Sequence, residues 1–167
     1  MERLSSVSST FEGYQPSHQS LIFQSTCLWV WHADKIPPHV GISAEGNYFS
    51  LKVKGKDADV SVKTILDLID RKKIPTLCYV LSDDPPNLAE VFQAYTQARA
   101  GEITCLYPIR EALRIPEAGQ LSDVLKVLEG EGRIHRALGL YLPENYRGLP
   151  HYGLREIHER LERLSHE

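Results

Sequence analysis

The chain has 167 residues, 42% of them hydrophobic and 25% charged, with a formal net charge of -3. This length fits one domain that buries enough surface to fold without a covalent staple, and the acidic balance argues against a nucleic-acid partner, which clustered positive charge would announce. The three cysteines, Cys27, Cys78 and Cys105, are odd in number and have no CxxC spacing, which speaks against a disulfide framework or a four-thiolate zinc site. Free thiols fit a reducing compartment. Met1–Ser20 is polar, without the apolar core of a signal peptide, and no stretch approaches a membrane span, so the expectation is a cytoplasmic protein.

In chain order, residues 1–19 are rich in serine, with Gly13 and Pro16 among them, and read as a flexible lead-in. Residues 20–167 read as a single α+β domain. Cys27–Trp31 is a short apolar, aromatic strand. Trp29 and Trp31 share one of its faces, as core residues do. Pro37-Pro38 closes a loop before a strand over His39–Ser43, and the turn signal Glu45-Gly46 leads into a second strand over Tyr48–Val53. A two-residue turn there makes paired residues sum to 91, so Lys52 stands opposite His39 with Ser50 diagonal to it. Val40, Ile42, Phe49 and Leu51 then form core, and His39, Ser43, Ser50 and Lys52 form a polar face.

Ser61 caps a helix with apolar residues Val62, Ile65, Leu66 and Ile69 on one side. Thr76–Leu81 is a strand. Asp83-Asp84-Pro85-Pro86 is a loop, and Asn87 caps a helix that Gly101 ends. Pro108 suits the first turn of a short helix reaching Arg114. Leu121, Val124, Leu125 and Leu128 mark another helix, Leu138–Leu142 a last strand, and Leu154, Ile157, Leu161 and Leu164 an amphipathic C-terminal helix. A front hairpin mixed with helices points to α+β rather than a doubly wound parallel sheet.

Two residues stand out for chemistry. Cys105 precedes a helix start, where unpaired N–H groups and the dipole favour a thiolate and could hold an oxyanion. The same residue also fits a small buried apolar side chain. His39 opens a strand behind the rigid prolines and could serve as the imidazole base of such a cysteine, or be an ordinary residue of a surface hairpin. His32, Asp34 and His39 fit no zinc spacing, and no Walker A or GxGxxG motif occurs, so neither a metal nor a nucleotide cofactor is implied.

The order is a His-Gly strand in His39-Val40-Gly41-Ile42-Ser43-Ala44-Glu45-Gly46-Asn47-Tyr48, then a further strand, helices, and Thr104-Cys105-Leu106 at a helix start. Over residues 27–114 it resembles the circularly permuted papain-like families, the NlpC/P60-like and lecithin retinol acyltransferase-like proteins. The resemblance implies an antiparallel sheet with helices packed on it. It implies His39 as base, Cys105 as nucleophile, and a polar residue on the following strand to orient the imidazole. The eligible positions hold Ser50 and Lys52. Lysine offers no acceptor to an imidazole N–H, which leaves Ser50. The activity implied is a cysteine hydrolase or acyltransferase cleaving an amide, ester or thioester of a peptide or lipid acyl substrate, with Cys105 ionised at neutral pH. The alternative is a non-catalytic domain, of this or another α+β fold, that binds a peptide or partner protein.

Overall fold

The Glu45-Gly46 turn sets the register of the central hairpin. Both residues have positive φ, 52° and 81°, the backbone of the two-residue turns that match strand twist. Gly41 pairs with Ser50, Ile42 with Phe49, Ser43 with Tyr48 and Ala44 with Asn47, the expected sum of 91. The computed structural model describes residues 11–99, 104–149 and 154–166. Its elements are β1 (Glu12–Gly13), α1 (Gln19–Gln24), β2 (Thr26–Trp31), β3 (His39–Ala44), β4 (Asn47–Lys52), β5 (Gly55–Ser61), α2 (Val62–Lys72), β6 (Thr76–Leu81), α3 (Leu88–Gln93), α4 (Tyr107–Leu113), α5 (Leu121–Gly130), β7 (Ile134–Leu140) and α6 (Leu154–Ser165). The fold is α+β, a seven-stranded mixed sheet in the order β1-β7-β6-β2-β3-β4-β5. Among the described residues only the β1–β7 pairing is parallel.

Both faces of the sheet are covered. Val40, Ile42, Phe49 and Leu51 are buried as expected, together with Leu28 and Val30, in a cluster that α3, α4, α5 and α6 complete. Trp29, Trp31, Tyr48 and Cys78 lie in a second cluster beneath the Val62, Ile65, Leu66 and Ile69 side of α2. Central strands buried on both faces read as continuous apolar runs, and all six residues of β2 and of β6 are buried. The hairpin's polar face is therefore enclosed at its two serines and solvated at Lys52. Ser43 and Ser50 are both inaccessible. Ser43 is satisfied by Trp29, whose Nε1 donates to its Oγ at 2.8 Å.

Several elements differ from the sequence reading. Residues 11–19, expected as part of a loose lead-in, carry β1 and a 3-10 turn over Pro16–His18, and α1 follows at once. β5 has no counterpart among the elements expected from the sequence. It is an edge strand whose residues are exposed or half-buried, so no apolar period betrays it. α3 stops at Gln93, and Gly101, its expected end, lies outside the described residues. β7 starts at Ile134 and ends at Leu140, before Tyr141 turns to positive φ.

Arg133 ties three of these pieces together. Its Nε and Nη2 donate to Asp83 at 2.9 and 2.5 Å, and Nη2 also donates to the Leu113 carbonyl at the end of α4 at 2.8 Å. The two side chains are only 22% and 14% exposed. Such a two-pronged pair lies between a surface bridge, worth little, and a buried one whose breakage costs about 3–5 kcal/mol. Asp83→Ala is expected to cost about 2 kcal/mol and lower Tm by about 4–8 °C. Thermal unfolding followed by circular dichroism measures this, and an unchanged midpoint would reduce the pair to a surface contact.

Candidate functional site

β3 and β4 part company beyond Gly41–Ser50, where their ladder ends. Lys52 therefore does not pair with His39, although the register would have aligned them. The Lys52 carbonyl instead accepts from the Ala98 N–H at 2.8 Å. At this open end lies a cavity of about 920 Å3. Its wall includes His39 and Lys52 from one face of the hairpin and Val40 and Leu51 from the other. Thr104, Cys105 and Leu106 close it from the segment before α4, and α6 lines the opposite side.

His39 opens β3 and pairs across the sheet with Trp31. The residue is half-buried, yet its Nε2 is fully enclosed and has no hydrogen-bond partner among the described residues. An unpartnered buried ring nitrogen is costly unless something else meets it. Burial pushes the imidazole down to about 4; the Asp57 carboxylate opposes this, while Lys52 and His32 add to it. The ring is thus neutral at pH 7.

Cys105 does not occupy the helix start itself. Leu106 is the N-cap residue of α4, and Cys105 stands one residue earlier, half-buried between buried Thr104 and Leu106. Its sulfur meets the backbone at Val40, the residue after His39. Burial raises the thiol above its ordinary range, and backbone hydrogen bonds at Val40 and Cys105 only partly offset this. The expected resting thiolate is therefore corrected: desolvation outweighs the local N–H groups. α4 has seven residues, too short to add a strong dipole.

Ser50 is buried away from the cavity wall. Its hydroxyl donates to Asp57 Oδ2 at 3.1 Å, and Lys52 Nζ donates to Asp57 Oδ1 at 3.1 Å. The carboxylate that acts on His39 thus comes from β5, and reading the sequence missed it. The signal was faint: Asp57 sits in the charged run Lys56-Asp57-Ala58-Asp59, which looks like loop. Cys27 and Cys78 are buried together under α2, so Cys105 is the most accessible of the three thiols. Among the described residues no group of three or more His, Cys, Asp or Glu side chains is arranged to hold a metal ion. No helix among them is long and apolar enough to cross a membrane.

No family model matches the chain, and neither the curated proteins nor the solved structures include a match to it.

Proposed function

We propose that the cavity is the site of a cysteine-dependent acyl transfer, in a sheet of permuted papain-like design, on an amide, ester or thioester. One observation carries this reading. Cys105 and His39, distant in sequence, line one cavity, with the Val40 backbone, next to His39, beside the thiol and the imidazole Nε2 without a hydrogen-bond partner among the described residues. Both groups rest neutral, so the chemistry is general-base attack rather than reaction of a preformed ion pair. The neutral imidazole takes the thiol proton as sulfur bonds to the acyl carbon. The carbonyl electrons move to oxygen, and backbone N–H groups near Cys105 steady that charge. Collapse expels the leaving group, which takes the proton back from the imidazolium. Water or a second nucleophile then releases the acyl group from sulfur.

The test uses p-nitrophenyl hexanoate and intact-protein mass spectrometry. One acyl group per chain is expected, on Cys105. His39→Ala is expected to slow its formation by about 10²–10⁴-fold, the usual worth of a positioned base. Cys105→Ser should abolish it. Acylation spread over all three cysteines, or indifference to His39→Ala, would overturn the proposal.

A second reading is a non-catalytic cavity of the same fold. The raised Cys105 thiol favours it, since burial without a strong activating partner is how structural cysteines behave. It expects ligand binding without acylation.

A further inference from the structure

The charges around the cavity are sorted by sign. Lys35, Lys52, Lys54, Arg160 and Arg163 line it, whereas Asp34 is the one carboxylate among the described residues that do. Lys52 is already paired with Asp57, and the excess remains when it is set aside. This occurs in a chain whose net charge is -3. α6 displays the sorting most clearly. Arg160 and Arg163 face the cavity beside Ile157, Leu161 and Leu164. Glu159 and Glu162 point elsewhere, engaged by Arg155 at 3.0 Å and His166 at 3.1 Å. Burial, Lys35 and Arg160 all lower the affinity of the His32 imidazole for a proton, against Asp34. Lys35 from the β2–β3 loop and Arg160 from α6 line the same cavity as His32. The lining also includes apolar side chains, with Val40, Leu51, Leu106 and Leu121 among them.

We propose that the cavity takes an amphipathic anion: an apolar body with one carboxylate or phosphate group, the body against Leu51, Leu106 and Leu161 and the anionic head between Lys35 and Arg160. A volume of about 920 Å3 suits a small ligand, for which pockets run to roughly 300–1,000 Å3. A cleft lined by one sign of charge over low-dielectric walls concentrates the opposite ion, and guanidinium groups suit carboxylate and phosphate alike. The inference rests on this cavity being the functional site proposed above, though not on the chemistry at Cys105.

Titration calorimetry of the full chain with decanoate, decyl phosphate and decyltrimethylammonium, all below their micelle concentrations, tests it. One molecule of either anion is expected per chain, bound at least about tenfold more tightly than the cation, as one charge-assisted contact implies. A preference for decanoate assigns the head to a carboxylate, and a preference for decyl phosphate assigns it to a phosphate. Arg160→Gln on α6 and Lys35→Gln on the β2–β3 loop should each weaken anion binding about threefold to tenfold with an unchanged Tm. Equal binding of cation and anions, indifference to both substitutions, or tighter binding of an oligoglutamate peptide than of decanoate would overturn the proposal. Anion binding with no acylation of Cys105 would remove the catalytic reading alone. Acylation by the neutral hexanoate ester with no anion binding would remove this inference alone.

Discussion

Gly41→Ala is expected to destabilise the protein by about 3–5 kcal/mol, more than a surface glycine could. The Tyr48 ring lies directly over Gly41, and a Cβ there would overlap Tyr48 Oη, Cζ and Cε2. The ring has nowhere to withdraw. It is 1% exposed and packs edge-on against Trp29 and Trp31, with centroids 6.3 and 5.9 Å away. Its hydroxyl accepts the Trp31 Nε1–H at 2.7 Å. Overpacking of this kind costs about 1–3 kcal/mol, and losing the hydrogen bond strands a buried indole N–H for about 1–3 more. At roughly 2–4 °C per kcal/mol for a chain of this size, Tm should fall by about 10 °C. Tyr48→Phe should not rescue it, because ring carbons overlap as well as the oxygen. In a double-mutant cycle, Gly41→Ala should add little to Tyr48→Ala, since the two share one space. Additive costs would show that the steric conflict is not what Gly41 avoids.

Acidification is expected to weaken the fold through His39. The unfolded imidazole titrates near 6.5, whereas burial holds the folded one at about 4. Between these values the unfolded state binds a proton that the native state refuses, so stability rises with pH. The contribution is complete above about pH 6.5 and is lost as pH falls toward 4, to a total of about 3 kcal/mol at 1.36 kcal/mol per unit. Urea midpoints at pH 7, 5.5 and 4.5 for the native chain and His39→Gln would isolate it, because other titrating groups are common to both. Parallel pH profiles would mean that the imidazole is solvated. A neutral ring at pH 7 is also what general-base attack by Cys105 requires, so this measurement bears on the proposed chemistry independently of any substrate.

Much of the fold was legible because it rests on local rules. The Glu45-Gly46 turn admits one register, and a period-two pattern then assigned Val40, Ile42, Phe49 and Leu51 to core. The 3.6-residue period of Val62, Ile65, Leu66 and Ile69 fixed the buried side of α2, and Pro108 marked the first turn of α4. His39 and Cys105 were candidates on residue type and position alone, and the tertiary structure brings both to one cavity.

Local patterns thus settle the elements that carry a turn signal or an apolar period, and which of their side chains share a face. What covers each face depends on packing between distant segments. Alternation marked Ser43 and Ser50 as polar and outward, yet both are fully enclosed, and Trp29 and Asp57 meet their hydroxyls. β5 exists because β4 supplies its hydrogen bonds, not through any apolar pattern of its own. Asp57 reaches the neighbourhood of His39 only through that pairing. The ionisation of the candidate pair was decided in the same way. Residue type and the helix start argued for a thiolate, but ionisation depends on the dielectric around a group, and enclosure by distant segments leaves Cys105 a thiol and His39 a neutral ring.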